Sequence, residues 1–205
     1  MSVNPDYAYG RDSDDTFFWA LEKFSPRFEI IGKGWPKIFQ PDYTEVITQI
    51  AREKPDAVYS SLWGGDLVSF IDQASLYGIF KNTELFAINL ADYTTMSAIK
   101  NLPKGLHSAT RYIAAYPNTK ENKSFDSAYT ERFGDHPTNW SWETAVATDF
   151  LISAIQETKS LDPKNISESL NGKSRKSFIG VGAENTVTMR SVSYTHLTLP
   201  TNREV

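Results

Sequence analysis

Apolar residues in the first ninety positions fall into a repeating unit of short run, polar loop and stretch with helical spacing. The runs are Phe28-Glu29-Ile30-Ile31, Ala57-Val58-Tyr59-Ser60 and Leu85-Phe86-Ala87-Ile88, recurring every 28 or 29 residues. That interval is about the length of a βαβ step, and each run is too short for a helix but suits a buried strand. Between the runs, Asp42 is placed to cap a helix over 43–53, with Val46, Ile47 and Ile50 on one face. Asp66 is placed to cap a second helix over 67–77, with Leu67, Phe70, Ile71 and Ala74 in one stripe and Gly78 ending it. Ahead of the first run, Phe17, Leu21 and Phe24 predict a helix over 12–24, and Val3-Asn4 reads as the end of an earlier strand. Alternation of this kind predicts an α/β fold, a doubly wound parallel sheet with right-handed crossovers.

A fourth apolar stretch, 106–115, reads as a further strand leaving this layer. Beyond Pro117 the pattern turns helical, over 123–133, 142–158 and 166–170, with a break at Gly134-Asp135-His136-Pro137. The change near residue 115 marks a lobe boundary without a Gly/Ser-rich linker.

Composition narrows the function classes. The chain has 205 residues, 40% of them apolar, and a net charge of -4 with a pI near 5.4. Nucleic-acid binding needs clustered Lys and Arg, so this balance argues against it. No run approaches the roughly 20 apolar residues of a membrane span. With no cysteine, a disulfide scaffold, thiol catalysis and a Cys-ligated zinc site are excluded. The start, Met1-Ser2-Val3-Asn4-Pro5, lacks the basic flank and apolar core of a signal peptide.

Catalytic motifs are scarce. Ser60-Ser61-Leu62-Trp63-Gly64 lacks the leading glycine of a nucleophile elbow. His107 and His136 have no acidic pattern linking them, and no metal-ligand spacing is present. Gly32-Lys33-Gly34 is no phosphate loop, and Gly180-Val181-Gly182 lacks a following helix. The expectation is a protein that is not an enzyme and needs no cofactor or metal.

Binding chemistry is better represented. Ligands of open parallel sheets sit beyond the C-terminal ends of the strands. The loops expected there are Asp6-Tyr7-Ala8-Tyr9-Gly10, Gly34-Trp35-Pro36, Leu62-Trp63-Gly64-Gly65-Asp66 and Asn89-Leu90-Ala91-Asp92-Tyr93. Aromatics supply apolar walls and cation-π faces, and a carboxylate pairs with an ammonium. Plainer roles compete: Asp66 as a helix cap only, Trp35 packed under Pro36, Tyr7 and Tyr9 as a hydrophobic staple.

In this order the loops resemble those of the solute-binding proteins of branched-chain amino-acid ABC transporters, the leucine/isoleucine/valine type. The matching segments are Asp6-Tyr7-Ala8-Tyr9-Gly10-Arg11, Lys54-Pro55-Asp56-Ala57-Val58-Tyr59, Trp63-Gly64-Gly65-Asp66, Phe70-Ile71-Asp72-Gln73-Ala74 with Gly78, and Tyr129-Thr130-Glu131-Arg132-Phe133. The resemblance implies a periplasmic-binding-protein type I fold, in which two lobes trap a ligand between them. Residues 1–112 would be most of the C-terminal ligand-binding lobe and 113–190 a partial return into the N-terminal lobe. Tyr9 and Trp63 would be aromatic walls. Asp92 is the nearest match to the residue that takes the α-ammonium, with Tyr93 and Asp66 as further ligand-binding candidates. The resemblance also implies a branched-chain amino acid or related small amide or acid as ligand, a membrane permease as partner, a monomer, and a periplasmic or extracytoplasmic location. A ligand-sensing domain of a receptor or regulator with the same fold is the first rival reading, followed by a doubly wound enzyme using the same strand-end loops and a purely structural domain.

Residues 191–205 differ from everything before them. One codon choice for 192–201 matches a transposon adaptor of sequencing libraries, so 191–205 is read as a non-native tail on a truncated chain. A native β-hairpin ending is the alternative.

Overall fold

The structure, a computed structural model, describes residues 1–25, 27–176 and 186–189. The chain divides into two compact units, one of Met1–Ile113 and one beginning at Ala114.

In the first unit, strands β1 (Ser2–Val3), β2 (Lys33–Gly34), β3 (Ala57–Ser60), β4 (Glu84–Ala87) and β5 (Leu106–His107) form one sheet in the order β2-β1-β3-β4-β5. All four pairings are parallel. Helices α1 (Ala8–Phe24), α2 (Thr44–Glu53), α3 (Gly64–Leu76) and the short α4 (Tyr93–Ala98) connect them. The step from β1 to β2 runs toward one edge and every later step toward the other. Right-handed crossovers therefore place α1 on one face and α2, α3 and α4 on the opposite face, which is the doubly wound arrangement.

The core lies between the sheet and α2 and α3. Val46, Ile47 and Ile50 of α2 meet Leu67, Phe70, Ile71 and Ala74 of α3 over Val3, Val58, Leu85 and Ala87. Removing a side chain such as Phe70 would cost about 3–5 kcal/mol, since transfer and cavity terms add. On the other face, the Tyr59 ring stacks on Phe17 of α1 with centroids 3.7 Å apart.

Several local expectations shift. The apolar run Phe28–Ile31 is not a strand. The ladder begins at Gly32, whose carbonyl accepts from Ser2 N–H, because β1 pairs Ser2 with Lys33 and Val3 with Gly34. Helix α1 starts four residues earlier than its apolar spacing predicts. Its buried phenylalanine is Phe18, while Phe24 is 75% exposed. Helix α3 starts at Gly64 with Trp63 in the cap position, so Asp66 sits inside the first turn and is not the N-cap. Of the stretch 106–115, only Leu106 and His107 pair with β4.

The second unit has helices α5 (Lys120–Phe133), α6 (Asn139–Thr158) and α7 (Pro163–Leu170), and an antiparallel pair, β6 (Ser174–Lys176) with β7 (Thr186–Thr188). Its helix starts are set by side-chain caps. Thr119 accepts from Asn122 N–H, Thr138 and Ser141 form a capping box, and Asp162 accepts from Lys164 N–H with Pro163 next to it. Gly134 ends α5 in the left-handed region, at φ 77°. Gly180-Val181-Gly182 and 191–205 lie outside the described residues. Among the described residues, no helix is long and apolar enough to cross a membrane.

Candidate functional site

In the first unit, the C-terminal ends of β1, β3 and β4 carry three loops to one edge of the sheet. After β1, Tyr7 N–H closes a tight turn on Pro5 C=O at 2.8 Å, and Tyr7 then stands extended ahead of α1. After β3, Trp63 stands extended ahead of α3, and Gly64 takes φ 52° to start the helix. A side chain disfavours that left-handed conformation, so glycine suits the turn.

These turns bring the aromatics together. Trp63 Nε1–H donates to the Tyr7 hydroxyl at 3.1 Å. The Tyr7 and Tyr9 rings lie 5.8 Å apart. Asn89, two residues past β4, shares the two hydrogens of Nδ2 among the Tyr9 hydroxyl at 3.0 Å and the Ser61 and Leu62 carbonyls at 3.2 Å. Phe39 meets the edge of Trp63 at 6.3 Å. Tyr7, Tyr9 and Trp63 keep 37%, 38% and 42% of their surface exposed, so the patch is held by its own hydrogen bonds yet faces solvent.

The two candidate carboxylates are engaged elsewhere. Asp66 is buried, and its two oxygens accept from Phe39 N–H at 3.1 and 3.0 Å. Asp92 caps α4, accepting from Thr94 N–H at 3.3 Å and Thr94 Oγ1–H at 3.2 Å. Tyr93 is the first residue of α4 and is half-buried. The structure thus joins Tyr9 to Trp63 through Tyr7, with Asp66 bound to the loop behind Trp63 and Asp92 and Tyr93 at the start of the next helix. The sequence singled out neither Tyr7 as the bridge nor Asn89 and Phe39 as its neighbours. The signal for Asn89 was a polar residue directly after an apolar strand run.

Trp35, beyond β2, is covered by the Arg11 guanidinium at 3.6 Å, and Arg11 also pairs with Asp6.

Beneath the patch lies a buried polar network. Asn4 Nδ2 donates to Asp14 at 2.9 Å, and Asn4 Oδ1 accepts from Ser61 N–H and Oγ–H at 2.7 Å each. Lys33 completes it on the other Asp14 oxygen at 2.5 Å. Phenols near the site are held neutral. Burial pushes the Tyr59 hydroxyl above the usual tyrosine value, against a hydrogen bond with Ser13. Burial and then the Asp66 charge do the same to Tyr43.

A concavity of about 730 Å³ runs along α1 over β3, β4 and β5, lined by Phe17, Tyr59, Phe86, Ile88 and His107 together with Asp12 and Tyr9. Among the described residues, no group of three or more His, Cys, Asp or Glu gathers to hold a metal ion.

A five-stranded parallel lobe with helices on both faces and side chains presented beyond its strand ends defines a doubly wound α/β protein of the ligand-site type. The chain matches the family model described as periplasmic binding protein over residues 1–193, and it belongs to that family of binding proteins rather than enzymes. No curated protein matches it. Among solved structures, it is similar to a solute-binding protein of an ABC transporter from R. palustris, in complex with benzoate. Identity there is 19% and the TM-score 0.75, over 91% of this chain and 52% of that one. A leucine-, isoleucine-, valine-, threonine- and alanine-binding protein from Brucella ovis has 17% identity and a TM-score of 0.74, over 87% and 46%. A branched-chain amino acid transporter substrate-binding protein from Streptococcus pneumoniae, in complex with isoleucine, has 13% identity and a TM-score of 0.73, over 87% and 50%. The chain spans about half the length of these structures. At such identity the likeness shows the fold alone.

Proposed function

We propose that this chain carries a ligand-binding lobe of the solute-binding component of an ABC importer, acting outside the cytoplasm as a monomer and delivering its ligand to a membrane permease. Residues 1–112 are assigned to the C-terminal lobe and 113–190 to the return into the N-terminal lobe. The observation that carries the reading is the Tyr7–Tyr9–Trp63–Asn89 patch at the C-terminal edge of the sheet. The ligand is a small amino acid, amide or acid. The structural relatives support the acid and amino-acid parts of that range, since one is in complex with benzoate and another with isoleucine.

Capture works by closure and not by chemistry. Tyr9 and Trp63 provide apolar walls, and closing a second lobe over them removes water from the polar contacts. Those contacts then strengthen as the local dielectric falls. The ligand shifts the open–closed balance only by its preference for the closed state. Asp66 follows β3, Asp92 and Tyr93 follow β4, and their assignment as ligand contacts is part of the same proposal.

The test is thermal denaturation of the full chain with a panel of amino acids, amides and aromatic acids that includes L-leucine, L-isoleucine and benzoate. At least one should raise Tm, and Tyr9→Ala and Trp63→Ala should remove the rise while keeping a native circular-dichroism spectrum. A panel without effect would overturn the proposal, as would a rise that survives both substitutions.

A further inference from the structure

The hydrogen-bond polarity of the patch selects among those ligand classes; this step rests on the ligand-wall reading above. Trp63 meets the Tyr7 hydroxyl through an indole N–H, which can only donate. Asn89 meets the Tyr9 hydroxyl through its amide nitrogen. That nitrogen is fixed as the donor end because it also faces the Ser61 and Leu62 carbonyls, which can only accept. Neither partner can take a proton from a phenol. Both tyrosine oxygens therefore act as acceptors inside the patch, and both O–H hydrogens remain available on the solvent side.

Three nearby carboxylates are spent locally by contrast. Asp66 is bound to Phe39 N–H, Asp92 to Thr94, and Asp6 to Arg11. Asp12, one turn along α1 from Tyr9, lines the concavity along α1 together with Tyr9, Phe17 and Tyr59. Tyr7 and Trp63 are the N-caps of α1 and α3, and the N–H groups of those first helical turns add positive potential at the same edge.

We propose that the tyrosine pair of this patch recognises a hydrogen-bond acceptor, a carboxylate or carbonyl oxygen, carried on a flat or ring-shaped apolar body, and that the two phenols do not read an ammonium group. The two phenols donate to the acceptor while the Tyr9 and Trp63 rings cover the apolar body. An ammonium, which only donates, can take neither O–H and is left to compete for the remaining phenol lone pairs.

Calorimetric titration of the full chain with phenylacetate, benzylamine and L-phenylalanine holds the ring constant and changes the polar group. Phenylacetate should bind at least tenfold tighter than benzylamine. Tyr7→Phe and Tyr9→Phe, which keep the rings and remove the hydroxyls, should each weaken phenylacetate three- to tenfold. Benzylamine binding as tightly as phenylacetate would overturn the inference, the more directly if Asp12→Asn or Asp92→Asn abolished it. Unchanged phenylacetate affinity in both phenylalanine variants would overturn it too. If none of the three ring compounds bound while another solute of the wider panel did, the inference would fall and the binding-protein reading would stand. If nothing bound at all, both would fall.

Discussion

The carboxylate of Asp66 accepts the backbone N–H of Phe39 with both oxygens, at 3.1 and 3.0 Å. This contact ties the first turn of α3 to the loop after β2, where Phe39 has a left-handed φ of 59°. It holds the Phe39 ring against Trp63 and so shapes one side of the patch.

Asp66→Ala should destabilise the chain by about 1–3 kcal/mol, because it leaves a partly buried N–H without its charged acceptor. Asp66→Asn keeps one acceptor oxygen and should cost less. Urea denaturation of the two variants checks the order. Equal losses, or none, would show that the Phe39 loop is held by other contacts.

Gly10 is buried under the turn that starts α1. A Cβ there would stand 1.9 Å from the Pro5 carbonyl oxygen, a backbone atom that cannot swing aside. Gly10→Ala should push α1 off the turn and displace Tyr9. The expected cost is at least the upper end of the overpacking range, about 3 kcal/mol. A drop in Tm with a loss of ligand-induced stabilisation is the expected result, and an unchanged melting curve would contradict the geometry.

Asp14 is almost fully buried and serves two donors, Asn4 on one oxygen and Lys33 on the other. Asp14→Ala should cost about 2–3 kcal/mol. Asp14→Asn should not rescue it, since the new amide nitrogen must face either the Asn4 amide hydrogens or the Lys33 ammonium. A denaturant midpoint for Asp14→Asn equal to the parent's would disprove this pairing.

In the second unit, His136 Nδ1 lies 2.7 Å from Asp126, and the hydrogen bond and charge of that carboxylate raise the imidazole pKa above its ordinary 6.5. A raised folded-state value means the stabilising contribution is complete below the ordinary imidazole value. It is lost as pH rises through the raised one. Both groups are partly exposed, so the effect on stability is small and screened. An NMR titration should place His136 above 6.5 in the parent and lower in Asp126→Asn. Identical titrations would remove the pair.

Local rules carried the first unit far. The runs at 57–60 and 85–88 are apolar because β3 and β4 are interior strands, and they appear as Ala57–Ser60 and Glu84–Ala87. The α2 and α3 faces were readable because residues that share a helix face are buried together. Phe28–Ile31 misled because its apolar character carries no register. Strand pairing there is set by β1, which meets the chain at Lys33 and Gly34.

The candidate site divides in the same way. Sequence order alone placed Tyr9, Trp63 and Asp92 beyond the first, third and fourth strands, because in a parallel α/β chain every C-terminal strand end points to one edge. It could not choose between Asp66 as a helix cap, a ligand group or a loop tether, since a carboxylate suits all three and its partner, Phe39, is 27 residues away in sequence. Nor could it show that an indole and an amide nitrogen would turn Tyr7 and Tyr9 into acceptors within the patch. Chain periodicity determined the strands, the helices and the edge at which their loops gather. Only the tertiary structure decided the direction of each hydrogen bond, because that depends on which donors fold against which acceptors across long separations.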